Sequence, residues 1–549
     1  MKEQFDYIVV GGGSAGCVLA NRLSENGKHS VCLIEAGPAD KNIWIHIPIG
    51  YGKTMFNKKL NWQFETEADP SMNNRKFYWP RGKTLGGSSS INGLIYIRGQ
   101  KEDYDHWAAL GNKGWSWDEC LPYFRKLENN DLPASETRGK NGPLSATTIP
   151  AIHELVEAFI KSAGLEGIPH VNDFNSGDQF GVGYFQLTTK NGLRQSTAVA
   201  YLRPAKERSN LTIKTEHLAH RVLFEGNRAV GIQVSDKNKN KYTIKANKEV
   251  ILSAGAIQSP QLLMLSGIGP AAHLKDKGIP LLKNLDGVGK NLQDHLQLRL
   301  IYEVSKPITN NDQLKNVWTK SKIGLQWLLS RSGPLAIGIN QGAAFCYALP
   351  DEAKTPDIQF HFGTLSADQA GGAVHPWSGC TISVCQLRPE SRGHMELRSS
   401  DPSTPLAIHP NYLSTDLDRR TAVASVKLAR RIATTGPLAD LLTREHRPGV
   451  EQQSDDEILE FCRNYGATIF HPAGTAKMGS ANDSSAVVDD RLRVHGFQGL
   501  RVVDASIMPT LVSGNTNVPV VMIAEKASEM ILNDAESMLT TSYLEKSIA

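Results

Sequence analysis

At 549 residues the chain is long enough for two to four domains with an ample core, and lysine plus arginine (60) exceed aspartate plus glutamate (56) by only four. So small a net charge, with no run of like charge, leaves no electrostatic footprint for a nucleic-acid partner. Seven scattered cysteines (Cys17, Cys32, Cys120, Cys346, Cys380, Cys385, Cys462) without CxxC spacing argue against a disulfide framework or a zinc site, so no metal is expected.

The N-terminus enters an apolar strand within five residues, leaving no space for a signal peptide, and no apolar run reaches bilayer-spanning length. The cytoplasm is the expected compartment. That first strand (Tyr7, Ile8, Val9, Val10) runs into Gly11-Gly12-Gly13-Ser14-Ala15-Gly16 and a helix carrying Val18, Leu19 and Leu23. The arrangement holds a dinucleotide: Gly11 permits the tight turn, Gly13 lets the backbone approach a pyrophosphate, and Gly16 lets helix and strand touch. A second strand, 30–34, ends in Glu35, nineteen positions after Gly16, where a carboxylate can accept from both ribose hydroxyls. An acid there repels a 2′-phosphate, which argues against NADP and leaves NAD or FAD open.

Ala36-Gly37-Pro38 then leads into a polar, aromatic excursion over the cofactor, to about Tyr78. The stretch from Trp79 through Gly82, Leu85, Gly87 and Ser88 to Asn92 and Gly93 is dense in backbone amides and small hydroxyls, which suits close packing on a planar, phosphate-bearing ligand. From about Ser145 to Tyr201 the first domain is interrupted. Strand-like runs at 211–214, 219–224, 229–234 and 242–244 read as two hairpins. Another strand, 249–254, turns through Gly255 into a helix and returns to the nucleotide domain.

The stretches Gly82 to Asn92 and Gly255 to Gly269 resemble the two signatures of the glucose-methanol-choline oxidoreductases. Similarity continues through Gly287-Val288-Gly289-Lys290-Asn291-Leu292-Gln293-Asp294-His295, residues 387–393 and the C-terminal motifs. The resemblance implies an α/β fold: a Rossmann-like FAD-binding domain built from discontinuous segments (1–155, 200–300 and 456–540), plus an α+β substrate domain with an antiparallel sheet (156–199 and 301–455). It settles the cofactor as FAD. Relatives with covalent flavin carry a histidine immediately before the signature asparagine, whereas Ile91 stands here, so non-covalent FAD is expected. Ser14, Ala15, Ala36, Trp62 and Val222 join the expected cofactor contacts on the same resemblance.

In the middle region, strands are expected at 357–362, 381–387 and 394–398 and a helix at 416–433. Residues 316–331 place Trp318, Ile323, Leu325, Trp327, Leu328 and Leu329 among Lys315, Lys320, Lys322 and Arg331. A helix packed on its own sheet or on a subunit partner is the favoured reading. A basic membrane-surface helix is the alternative, which would put the protein against the inner face of the membrane.

Near the C-terminus, proline and glycine fix the direction of His471 in His471-Pro472-Ala473-Gly474. Alone, such a histidine is more often structural. By resemblance it is the histidine facing the flavin, the one histidine of the chain in such a context, and an imidazole of pKa about 6.5 suits proton removal from an alcohol. The same resemblance sets Asn515 opposite it as a neutral donor to the alkoxide oxygen. Asn517 reads as the cap of a helix from Val518, helped by Pro519, whose N-terminus would face the flavin N1 and O2 edge. Asp504 and the amide of Ala505 would meet the ribityl and pyrophosphate.

The expected activity is oxidation of a primary alcohol (aliphatic, polyether or aryl) to an aldehyde, with a quinone-type acceptor. Choline dehydrogenase, an oxidase using O2 and a non-redox lyase or photochemical relative are the alternatives, as is a flavin carrier without turnover. The chain is expected to work as a monomer or homodimer.

Overall fold

The computed structural model describes residues 3–369 and 371–548, with side chains to residue 537. Two seven-stranded sheets organise it. In the first, the strand Glu3–Val10 lies between Val31–Ile34 and Lys241–Leu252, parallel to both, and Tyr7 to Val10 are buried because helices and loops cover both faces. Gly11, at φ +104°, turns the chain into the helix Ser14–Ser24. Gly16 is required by packing, since a Cβ there would meet the Gly11 carbonyl oxygen at 1.8 Å.

The hairpin reading of 211–244 is corrected here. Leu211–Lys214 lies at the sheet edge, parallel to Val31–Ile34, while Leu218–Glu225, Arg228–Ser235 and Lys241–Leu252 form an antiparallel meander. The polar interval 245–248 does not break a strand either. Exposed Lys245 and Asn247 alternate with Ile244 and Ala246 on one twelve-residue strand, whose far end pairs with Leu500–Val502.

The second sheet is antiparallel, ordered Leu442–Arg447, Leu296–Val304, Gly379–Gln386, Ile358–Gly363, Asn340–Cys346, Gly181–Tyr184, with Ala467–Thr468 paired to the start of Leu296–Val304. The helix Asp416–Ala433 falls where the sequence pattern puts it and buries Thr421, Ala422, Ser425, Val426 and Ala429 against this sheet. The other face of the sheet is turned to a cavity. A domain boundary at 300/301 would cut the strand 296–304; the chain enters this sheet at Leu296.

Of the two placements favoured for the helix Val317–Ser330, its own sheet or a subunit partner, the first does not hold. Only Trp327 is buried, against Ile47 and Ala336, while Val317, Trp318, Leu325, Leu328 and Leu329 are 55% to 79% exposed. Among the described residues no helix is long and apolar enough to cross a membrane.

Candidate active site

A cavity of about 960 Å³ runs from the glycine turn to the wall of the second sheet. At one end lie Gly11, Gly13, Ser14, Ala15, Glu35 and Ala36, with Gly82, Gly87, Ser88, Asn92 and Gly93 alongside; Trp62, Asp504, Ala505 and Asn517 complete that half. A Cβ at Gly13 would come no closer than 3.9 Å to any protein atom, so packing within the chain does not demand glycine there. Room for a ligand does. Ser14 Oγ donates to Asn517 Oδ1 at 2.9 Å, so the N-termini of the helices Ser14–Ser24 and Asn517–Ile548 converge on the cavity with their positive dipole ends.

Four of the expected cofactor contacts stand behind this surface. Gly16 packs on Gly11, Leu85 lies beside Gly12, Val518 is buried within its helix, and the Val222 amide donates to Ser266 Oγ. On that side His217, Leu218 and Ala219 reach the cavity instead. Asn517 is the first residue of its helix rather than its cap, since the Val520 amide bonds the Thr516 carbonyl. The Asp504 carboxylate accepts from Gly255 N, Ser259 Oγ, Ser506 N and Ser506 Oγ, so it braces the loop from inside rather than reaching out to a ribityl chain. Glu35 accepts from the amides of Gly12 (2.9 Å) and Gly37 (2.7 Å); burial outweighs both bonds and pushes its carboxyl up to about 7. Each oxygen keeps a lone pair for a ribose hydroxyl.

These features fit FAD. A helix N-terminus and open backbone at Gly13 would suit its pyrophosphate, Glu35 its ribose, and the second helix N-terminus at Asn517 an electron-rich ring edge.

The other end of the cavity holds His471 and Asn515, with Asn515 Nδ2 3.2 Å from His471 Nε2. His471 leaves the sheet directly after Ala467–Thr468, and Phe470 before it is held at φ +71°, a conformation rare outside glycine. Buried Asp294 fixes that turn by accepting from the His471 amide at 2.7 Å and from Thr468 Oγ1 and Tyr412 Oη. Arg81 donates to the Phe470 carbonyl.

A second histidine, given no role from the sequence, stands behind His471: His295 Nδ1 lies 2.9 Å from His471 Nδ1. The hydrogen-bond network assigns the tautomers. His295 Nε2 faces the Leu387 carbonyl at 2.9 Å and must donate to it. Burial holds its pKa down at about 4, so neutral His295 offers only a lone pair at Nδ1. His471 therefore donates from Nδ1 and carries its own lone pair at Nε2, toward Asn515. Burial, then His295, His361 and Arg81, push the His471 pKa well below 6.5, so the base is neutral at physiological pH. Gln359 Nε2 donates to Asn515 Oδ1 at 3.2 Å, which turns the Asn515 amide nitrogen to the cavity.

Asp294, His295 and Gln359 carry no role in a reading of the sequence alone. Their signal is polarity out of place: Asp294-His295 opens an apolar strand, and Gln359 and His361 share one face of the buried strand Ile358–Gly363. One triad among the described residues has metal-ligand spacing, Asp368 with His375 and His446, but Arg447 already pairs with Asp368 at 2.6 Å.

Comparison with known proteins shows the family. Models of the GMC oxidoreductase family match residues 5–297 and 389–524. The chain is 44% identical to the mitochondrial choline dehydrogenase of Mus musculus over 538 residues (96% of this chain, 90% of that one). It is 43% identical to an alcohol dehydrogenase [acceptor] of Pseudomonas putida over 536 residues (97% and 96%). The crystal structure of pyridoxine 4-oxidase from Mesorbium loti superposes with a TM-score of 0.86 at 33% identity, covering 95% of this chain and 98% of that one. With a dinucleotide cradle facing a His–Asn pair across one cavity, the chain belongs to the GMC oxidoreductase family, as an FAD-dependent oxidoreductase acting on CH–OH donors.

Proposed function

We propose that the protein oxidises a primary alcohol to the aldehyde, with His471 as the proton acceptor and Asn515 as the donor to the developing alkoxide. One observation carries this reading. The bare Nε2 of His471 and the amide nitrogen of Asn515 are 3.2 Å apart at the end of the cavity that faces the cradle. An alcohol oxygen that approaches both from the cavity, in place of the bond between them, gives its proton to Nε2 and keeps a hydrogen bond from Nδ2 as negative charge grows. Bound FAD supplies the hydride acceptor. Ile91 in place of a histidine supports a dissociable flavin.

The similar proteins divide between choline and other alcohols. Choline asks for a carboxylate and an aromatic cage. Among the described residues lining the cavity the carboxylates are Glu35 and Asp504, both in the cradle and both hydrogen-bonded to backbone amides, so a non-cationic alcohol is the better fit. For the acceptor, the helix Val317–Ser330 favours a quinone over O2. Its exposed apolar residues share one side, it contains no acid, and Lys315, Lys320, Lys322 and Arg331 flank them, as suits an anionic membrane surface. Its other side lines the cavity with Lys320, Ile323 and Gly324.

The test is anaerobic mixing of the FAD-loaded protein with 1-alkanols, benzyl alcohol, polyethylene glycol and choline, followed by a soluble quinone or O2. Bleaching of the flavin by primary alcohols, with faster reoxidation by quinone, is expected. No bleaching by any alcohol would overturn the reading in favour of a non-redox relative, and faster reoxidation by O2 would make the protein an oxidase.

A further inference from the structure

The wall of the cavity opposite the cradle carries a positive charge with no counterpart. Along the strand Leu296–Val304, Gln297 and Arg299 point into the cavity, on the same face as His295 just before it, and Arg299 stands across from Ser383 of the strand Gly379–Gln386. Arg299 lies four positions after His295, a span of about 13 Å along extended chain. Arg299 therefore sits well away from the catalytic pair, deep in the substrate half.

Among the described residues Arg299 has no hydrogen-bond acceptor and no ion-pair partner. The nearby carboxylate, Asp368, is already engaged: Arg447 holds its Oδ1 at 2.6 Å and also bonds the Asp368 carbonyl, and His375 Nε2 approaches the same Oδ1 at 3.5 Å. Two guanidinium groups thus share one carboxylate, and Arg299 is the one left over. Burial, and then Arg447, lower its pKa to about 10, which still leaves it charged at neutral pH. Tyr51 lies in the same lining, and because its hydroxyl oxygen accepts from the Ile339 amide at 3.1 Å, its own proton is left to donate. A half-buried cation without a protein partner is an open binding group on the cavity wall, and a planar guanidinium is the group best matched to a carboxylate.

We propose that Arg299, with Tyr51 and Ser383, forms a subsite for an anionic group at the far end of the substrate, so that the favoured substrates are extended primary alcohols bearing a remote carboxylate. The proposal rests on the reading of this cavity as an alcohol site and adds the chemical class of what enters it. The carboxylate takes no part in the oxidation; it accepts hydrogen bonds from the guanidinium and fixes which end of the molecule faces His471.

The experiment compares kcat/KM of the FAD-loaded enzyme for matched pairs, a 1-alkanol and the ω-hydroxyalkanoate of equal chain length, in wild type, Arg299→Gln and Arg299→Glu. In wild type the hydroxy acid is expected to win by about tenfold or more, the ratio to collapse in Arg299→Gln, and Arg299→Glu to favour an ω-amino alcohol instead. A hydroxy acid to alkanol ratio that is the same in wild type and Arg299→Gln, or below one in wild type, would overturn the subsite. Should either variant fail to fold, inhibition of wild type decides: an unsubstituted alkanoate must compete with the alcohol at least about tenfold better than the matching alkanamide, and equal inhibition refutes the proposal. If wild type oxidises no alcohol, the functional reading fails; if it oxidises alkanols with no preference for the acid, only the subsite does.

Discussion

In the dinucleotide cradle the decisive groups are backbone and lie close in sequence: Gly11, Gly13 and Gly16 span six residues, and Glu35 follows on the next strand. At the other end of the same cavity His471 is set by Asp294 and His295 from one strand entrance, Asn515 from a distant loop, Gln359 from a central strand and Arg81 from the loop beside the cradle. The cradle therefore rests on its glycine backbone and on a few side chains, Glu35 and Asp504 among them, each bonded chiefly to nearby backbone amides or hydroxyls. The histidine centre depends on side chains that share hydrogen bonds, so losses there are expected to be coupled.

The largest effect should come from His471→Ala. Removing the proton acceptor is expected to slow anaerobic flavin reduction by about 10³-fold while FAD binds as in wild type, measured by stopped flow and by flavin content. A loss of FAD together with activity would mean that the two ends are not separable. Next, His295→Ala should cost roughly 10- to 100-fold in kcat, because nothing then selects the tautomer with a bare Nε2. Since His295 also helps to depress the His471 pKa, the acid limb of the kcat/KM profile should move to higher pH in this variant. A merely structural role would leave that limb in place.

Two glycines sharpen the contrast from the cradle side. Gly16→Ala should lower stability by about 1–3 kcal/mol in thermal unfolding of the apoprotein, since the added methyl meets the Gly11 carbonyl. Gly13→Ala should leave apoprotein unfolding nearly unchanged and weaken FAD binding, because only the ligand occupies that space. The smallest effect concerns acid. Burial lowers the folded-state pKa values of His295 to about 4 and of His361 to about 3, from an ordinary value near 6.5. Below pH 6.5 the unfolded chain binds protons that these folded imidazoles refuse, so stability should fall as pH drops from 6.5 toward 4. Neither ring nitrogen of His361 has a hydrogen-bond partner, and His361→Leu should flatten that slope.

The same contrast explains what could be read from the chain. A glycine turn, the flanking strands and the helix 416–433 are local patterns, with periods of 2 or 3.6 residues, and they stand in the sequence as they stand in the fold. The pairing of Leu211–Lys214 with Val31–Ile34 joins segments about 180 residues apart, and an isolated apolar run cannot announce its partner. His295 illustrates the limit at the site. Its motif is visible, but its contact with His471 bridges 176 residues and exists only once the second sheet has formed. Arg299 is the reverse case, a charged residue in an apolar strand that looks misplaced until the cavity is seen.

The measurement that bears most directly on the catalytic centre is a double-mutant cycle on anaerobic flavin reduction with His471→Ala, Asn515→Ala and both together. If the two residues act on one alcohol oxygen, the double variant should be about as slow as His471→Ala alone, because the first loss already removes what the second serves. Losses that multiply in the double variant would show that His471 and Asn515 work independently and would contradict this account.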